Sequence, residues 1–317
     1  MKKTVGLKKA AELLLAADDI VIFTHFRPDF DTIGSAKALE YALRKLGKKA
    51  SFVCSDELTE RYLLICDELK TEIPSDAKVA VCVDMATDVM LGRYYDEYKD
   101  KILLSIDHHA MSLPFAEYTF CRPDASAAGE LVFELCKAMG VKQDKTLAKY
   151  LYCAISSDSG CFKFGNTSAK THRMAAELLE QGIDHAYLNR MIHDLRSPQI
   201  LALQSLAINT LSFHADGKIA IMELTLEMCR DAGADATDMD ALVQLPRTID
   251  GVEVGITLKQ MGEDSYKVSI RSNDYFDATR LAGFYGGGGH VRASGFRIDG
   301  DAATIRSKVA AKAEELL

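Results

Sequence analysis

Between residues 20 and 106 the chain repeats one pattern: a short apolar run, then apolar positions at helical spacing. The runs Ile20-Val21-Ile22-Phe23, Val79-Ala80-Val81-Cys82-Val83 and Ile102-Leu103-Leu104-Ser105-Ile106 are nearly unbroken. Apolar residues that continue rather than alternate mark strands covered on both faces. Strand 20–24 leads into a helix near 32–46, where Ile33, Ala36, Leu39, Leu43 and Leu46 share one face and Gly47 is placed to stop it. Strand 50–54, a helical stretch through the 60s, strand 79–83, helix 87–98 and strand 102–106 follow. Strands alternating with helices predict an α/β fold, a parallel sheet with helices on both faces.

After about residue 120 the period becomes helical, over 126–139, 145–157, 168–180, 184–194 and 198–211. Strands return at 218–224, 252–260 and 266–271, and a helix near 276–283, a glycine run and a helix over 302–316 close the chain. The shift predicts a first domain over 1–195, a helical linker over 196–215 and a smaller α/β domain over 216–317, across a cleft from the first. With 317 residues, two domains fit the length.

Composition narrows the classes. At 48% hydrophobic and 26% charged residues, there is enough apolar surface for two cores and no run of membrane-spanning length. Glu12, Asp18 and Asp19 interrupt the first apolar stretch, so an amphipathic helix is expected there rather than a signal peptide. None of the eight cysteines forms a Cys-x-x-Cys pair, so they read as small buried hydrophobes in a reduced, cytoplasmic setting. A net charge of −8 argues against coating long duplex but leaves room for a small nucleotide ligand.

The candidate chemistry lies where the apolar runs end. His25, Asp29 and Asp31 follow the first; Asp84 ends another; Asp107-His108-His109 ends a third. In an open parallel sheet the carboxyl ends of the strands share one edge, so residues far apart in sequence converge there. Asp31 alone would read as a helix cap. Asp158, closing the helix over 145–157, is disfavoured by the backbone dipole unless a cation compensates. So many carboxylates together would repel, and a pair of divalent ions removes the conflict. Oxygen and imidazole ligands without thiolate favour Mn²⁺ or Mg²⁺. One carboxylate must then bridge, and Asp84 is central in chain order.

These residues resemble the motifs of the DHH phosphoesterase superfamily. They stand as His25-Phe26-Arg27-Pro28-Asp29-Phe30-Asp31, Val83-Asp84, Asp107-His108-His109 and Ser157-Asp158-Ser159-Gly160, and Gly286-Gly287-Gly288-Gly289-His290 resembles the signature of the DHHA1 domain. The resemblance spans nearly the whole chain and is greatest to the branch combining oligoribonuclease and 3′-phosphatase activities. It implies a DHH catalytic domain, a DHHA1 substrate-binding domain and two Mn²⁺ ions, with Mg²⁺ as the alternative. His25 and Asp29 would hold one ion, Asp31, His108 and Asp158 the other, with Asp84 between them. Asp107 would support the site and His109 face the scissile phosphate. Phe30 stands where the family often has glycine, and Ser294 where alanine is common.

The resemblance also implies substrates: short single-stranded oligoribonucleotides cut to 5′-mononucleotides, and adenosine 3′,5′-bisphosphate (pAp) cut to AMP. The rival enzyme reading is a phosphodiesterase for pApA or cyclic di-AMP; the rival of another class is a catalytically dead nucleotide-binding protein. Arg271, Ser272, Gly287, Gly288, Gly289 and His290 would grip the terminal nucleotide and its phosphate. Four glycines let backbone N–H groups approach a ligand, and Arg271 suits a forked phosphate contact. Arg247 reads as a solvated surface residue, and Tyr275 and Phe276 more as packing than as stacking platforms. His172, His185, His193 and His214 lack motif context. No membrane partner is expected, and a homodimer is one assembly compatible with the sequence.

Overall fold

The buried apolar runs of the first half become the strands of one sheet. In the computed structural model, which describes residues 2–68, 71–110 and 112–317, the chain divides into units Met1–Leu195 and Arg196–Leu317. The first unit contains β1 (Lys3–Thr4), α1 (Leu7–Ala16), β2 (Ile20–Phe23), α2 (Phe30–Lys45), β3 (Ala50–Val53), β4 (Val79–Val83), α3 (Tyr95–Tyr98), β5 (Ile102–Asp107), β6 (Tyr118–Cys121), α4 (Ala128–Ala138), α5 (Lys145–Asp158), α6 (Ala169–Leu179) and α7 (His185–Asn189). Its sheet runs β1-β6-β5-β4-β2-β3, and every neighbouring pair is parallel.

Side chains alternate across this sheet, and each face has its own core. Ile20, Ile22, Val81, Val83, Leu104 and Ile106 pack against α1, α2, α4 and α5. Val21, Phe23, Ala80, Cys82 and Ile102 pack on the other side with Met85, Leu91 and Phe115. The two-sided burial predicted from the unbroken runs is what forms.

Three helices pack closely because two residues have no side chain. A Cβ on Gly34 of α2 would lie 2.7 Å from the Tyr150 carbonyl of α5, and one on Gly129 of α4 would lie 2.7 Å from the Ala154 Cβ. This small-residue seam lets the end of α5 reach the sheet edge where β2, β4 and β5 terminate.

Several expected elements differ. The helix predicted over 87–98 is a 3₁₀ segment, Asp88–Tyr94, followed by the single-turn α3. Gly92 breaks it, with φ 59° and ψ −126°. The helical stretch of the 60s is a short 3₁₀ segment, Glu60–Leu64. The end of the predicted helix 184–194 is a π-helical segment, Arg190–Asp194. Strands β1 and β6 were not anticipated.

The second unit holds α8 (Pro198–Ile208), β7 (Ser212–His214), β8 (Ile219–Leu224), α9 (Leu226–Ala232), β9 (Val254–Gly262), β10 (Ser265–Ser272), α10 (Ala278–Phe284), β11 (Gly288–His290), β12 (Ala293–Asp299) and α11 (Ala302–Leu316). Its sheet, β11-β12-β10-β9-β8-β7, is mixed: β8 and β9 pair in parallel and the other neighbours antiparallel. One face packs on α10 and α11 through Ile219, Ile256, Val268, Leu281 and Val309. The other packs on α8 and α9 through Leu203, Ala207, Met222, Leu224 and Cys229. The segment expected as a helical linker thus carries α8, whose Leu203 and Ala207 are built into the second unit's core.

Candidate metal centre and the Arg271 strand

His25, Asp84 and Asp107 sit at the carboxyl ends of β2, β4 and β5, and register makes these strands neighbours. The loops after them, the start of α2 and the end of α5 complete the set. His108 is the hub: its Nε2 lies 3.4 Å from Asp84 Oδ1, 3.4 Å from Asp158 Oδ2 and 3.7 Å from Asp31 Oδ2. On the other side His25 Nε2 lies 3.5 Å from Asp84 Oδ2 and 3.9 Å from Asp29 Oδ2. Two trios, His25–Asp29–Asp84 and Asp31–His108–Asp158, each bring ligand atoms within 4.8 Å of one another. A third trio, Asp84–His108–His109, overlaps both. Asp84 thus faces both groups, one carboxylate oxygen to each side.

Each side chain is held by the fold. Asp29 Oδ1 caps α2, accepting from the N–H groups of Asp31 and Thr32 at 2.9 and 3.0 Å, which leaves Oδ2 toward His25. Asp31 is inside the first turn of α2 and caps a different helix. It accepts from Ala128 N–H at 2.7 Å and Gly129 N–H at 3.0 Å, at the start of α4, and from the Ser35 hydroxyl at 3.0 Å. His25 Nδ1 faces the Phe26 carbonyl at 2.9 Å and His108 Nδ1 the Ala125 carbonyl at 3.3 Å. When each Nδ1 donates there, Nε2 is the ring nitrogen available for ligation. His109 Nδ1 lies 2.7 Å from Asp107 Oδ1, which also accepts from the His108 N–H at 2.8 Å.

Phe30 takes up the role that a flexible glycine would leave open. It is buried at the start of α2 and packs on Tyr62, ring centroids 5.0 Å apart. The Tyr62 hydroxyl in turn donates to the Pro28 carbonyl. The loop from His25 to Asp29 is therefore anchored by aromatic packing.

The electrostatics show an excess of buried charge seeking cations. Burial disfavours the His25 imidazolium, but the Asp84 and Asp29 carboxylates outweigh it and push its pKa up to about 10. His108 is likewise disfavoured by burial, yet Asp158 and Asp84 carry it to about 12. Burial also raises Asp158, to about 6, against the pull of His108, and holds Asp31 well above the usual carboxylate range with help from Asp84 and Asp158. For Asp84 the burial penalty is overcome by His108 and His25, and its pKa falls. The imidazolium ions of His25 and His108 thus balance these carboxylates. Asp84 Oδ1, Asp107 Oδ2 and His108 Nε2 are buried without a hydrogen-bond partner, and Asp84 adopts φ 61°. Orphaned polar atoms and a left-handed aspartate are costly. All-oxygen-and-nitrogen donors, orphaned and facing one another, fit divalent cations of the hard or borderline type.

In the second unit Arg271 is the penultimate residue of β10, opposite Gly255 and Ala293. Its Nε is buried without a partner, while a terminal nitrogen donates to the Ile270 carbonyl at 2.9 Å. Burial first, then neighbouring Arg247, lowers its pKa. Arg247 is half-buried rather than a solvated surface residue, and bonds to Gln244 and Asn273. The glycine run leaves a turn at Gly286 and enters edge strand β11, where Gly288, Gly289 and His290 lie opposite Gly295, Ser294 and Ala293. Gly287 is a packing glycine, since a Cβ there would lie 2.2 Å from the Gly295 carbonyl. Ser294 donates its hydroxyl to the His290 carbonyl at 2.8 Å and pins this hairpin. The Ser272 hydroxyl is engaged with the Phe276 carbonyl at 2.7 Å. Tyr275 and Phe276 diverge: Phe276 is core and Tyr275 is 58% exposed. Glu253 pins this loop, its carboxylate accepting from the N–H groups of Asp274, Tyr275 and Phe276.

Sequence reading missed the supports: Ala125, Ala128 and Gly129 act through backbone atoms, which leave no residue-type signal, and Glu253 has no motif.

Comparison with known proteins places this geometry. The DHH family, N-terminal domain, matches residues 19–155, and the DHHA1 domain matches residues 216–316. The bifunctional oligoribonuclease and PAP phosphatase NrnA of Thermus thermophilus is 33% identical over 298 residues, covering 93% of this chain and 89% of that protein. The protein of the same name from Bacillus subtilis is 28% identical, covering 89% and 90%. An exopolyphosphatase-related protein from Bacteroides fragilis superposes with a TM-score of 0.87 at 26% identity, covering 98% of this chain and 95% of that one.

Proposed function

The chain belongs to the DHH family, with a DHHA1 domain as its second half, and we propose that it hydrolyses short oligoribonucleotides to 5′-mononucleotides and adenosine 3′,5′-bisphosphate to AMP. As a DHH phosphoesterase it is a hydrolase of phosphoester bonds. The named relatives, an oligoribonuclease and PAP phosphatase at 33% identity over most of both chains, support the substrate choice. The observation that carries the reading is Asp84, placed with one oxygen toward each of two ligand trios.

His25 and Asp29 would hold one divalent cation, Asp31, His108 and Asp158 a second, and Asp84 both. The donor set favours Mn²⁺, with Mg²⁺ as the alternative. When bound, the pair supplies Lewis acidity toward the phosphoryl oxygens and lowers the cost of ionising the attacking water. The protein's own part is to hold six ligands at fixed spacing and to orient His109. With Nδ1 committed to Asp107, the His109 imidazolium presents Nε2–H as a donor to the phosphate or the departing oxygen. Burial works against the charged ring, but Asp107 and Asp84 outweigh it and raise the pKa of His109, which favours the donor form.

In the second unit, Arg271 with its unpartnered buried Nε suits a phosphate, and β11, across β12 from it, offers edge backbone. Gly288, Gly289 and His290 would line the nucleotide; Gly287 and Ser272 would serve by shaping the hairpin and the loop. The eight thiols are free, which supports a reducing, cytoplasmic setting. Among the described residues no helix is long and apolar enough to cross a membrane.

The test is a Mn²⁺-supplemented panel of dinucleotides, short RNAs, adenosine 3′,5′-bisphosphate, cyclic dinucleotides and pyrophosphate. The expected ranking by kcat/KM puts short RNAs and the bisphosphate first. A preference for cyclic dinucleotides or pyrophosphate would contradict it.

A further inference from the structure

Asp31 and His108 take their positions from one short segment, residues 125–129. The Ala125 carbonyl faces His108 Nδ1 at 3.3 Å, and the Ala128 and Gly129 N–H groups hold Asp31. What holds the segment itself is Glu130. This carboxylate is buried at 2% exposure, and a single oxygen, Oε1, accepts from the Ser126 hydroxyl at 2.7 Å, the Ser126 N–H at 3.3 Å and the Thr171 hydroxyl at 2.6 Å. The Ser126 carbonyl is taken from the other side by Asn166 Nδ2 at 3.1 Å, and the same amide nitrogen donates to the Asp158 carbonyl at 3.1 Å. Ser126 is thus clamped at its N–H, hydroxyl and carbonyl, and the clamp connects to Asp31, His108 and Asp158.

A carboxylate at this depth, met by neutral donors, is costly for the fold alone. An apolar residue on the buried face of α4 would pack without that cost. Charge-assisted bonds are stronger and more directional than neutral ones, which suits a group that must fix a loop carrying ligand-orienting atoms. We propose that Glu130 is a positioning residue for the Asp31–His108–Asp158 cation site, acting through Ser126. The inference rests on the two-cation reading above. The His25–Asp29–Asp84 trio takes its bonds from Phe26 and from the start of α2 instead, so Glu130 bears on one ion and not the other.

Calorimetric titration of Mn²⁺ into metal-free full-length protein separates the possibilities, with thermal unfolding of each metal-free variant read in parallel. Wild type should take up two ions. Glu130→Leu should bind one ion as wild type does and the other roughly 10- to 100-fold more weakly, the usual cost of losing an outer support. Glu130→Gln should restore most of it, because the amide oxygen can accept the same three bonds without their charge assistance. Should Glu130→Leu fail to fold, Ser126→Ala carries the test, with an expected loss of about 5-fold at the same ion. Wild-type affinity for both ions in Glu130→Leu, or in Ser126→Ala where that variant carries the test, overturns the proposal. So does an equal loss at both ions that follows the drop in unfolding temperature. Wild type that takes up no Mn²⁺ would sink the two-cation reading itself, and this proposal with it.

Discussion

At the scale of single residues, the site is a balance between carboxylates and whatever cations are at hand. In metal-free protein the cations are His25 and His108, whose pKa values rise from 6.5 to about 10 and about 12. A raised folded-state pKa contributes stability that is complete below the unfolded value and is lost as pH climbs through the folded one. The unfolding temperature of metal-free protein should therefore fall between about pH 6.5 and pH 10. Ligation needs neutral imidazole, so Mn²⁺ affinity should rise over the same interval, with proton release on binding. Differential scanning calorimetry with and without Mn²⁺ across that interval checks both signs. Asp84 is the residue with most at stake. Asp84→Ala should lower turnover by more than ~100-fold, beyond the loss typical of an outer support, while the fold persists by circular dichroism. A folded variant with near-normal rates would remove it from the bridging position.

At the scale of elements, positions follow from strand ends and from one close helix seam. The convergence of His25, Asp84 and Asp107 was legible, because continuous apolar runs mark parallel strands and parallel strands end on one edge. Other features were not. β1 is only two residues, too short to carry a period, and β6, Tyr118-Thr119-Phe120-Cys121, lacks the unbroken apolar run that marks β2. Gly92 turned an apparent helix into 3₁₀ turns through a backbone conformation, not a change of pattern. The glycine run read as backbone open to a ligand, without a partner strand; Gly288 and Gly289 in fact pair with β12. Helix capping was legible in kind but not in partner: Asp29 caps α2, while Asp31 caps α4 from 97 residues away. The seam at Gly34 makes a separate prediction. A Cβ there meets backbone, the Tyr150 carbonyl at 2.7 Å, so Gly34→Ala should cost about 1–3 kcal/mol by overpacking. Because α2 carries Asp31 and α5 carries Asp158, metal affinity should fall as well. Denaturant unfolding paired with Mn²⁺ titration measures both, and an unchanged midpoint would show that the helices can part freely.

At the scale of the whole molecule, the proposed cation ligands all lie in the first unit, and Arg271 with β11, proposed to hold the substrate, in the second. Arg271→Ala should raise KM for dinucleotides roughly 10- to 100-fold, the range for losing hydrogen bonds to a charged group, and leave metal content unchanged. A normal KM would take Arg271 out of substrate binding. The account as a whole stands on two cations sharing Asp84. Anomalous scattering from crystals grown with Mn²⁺ tests that most directly. Two peaks are predicted, one among His25, Asp29 and Asp84, the other among Asp31, His108, Asp158 and Asp84. A pocket without anomalous signal, or a single ion that leaves Asp84 unligated, would contradict it.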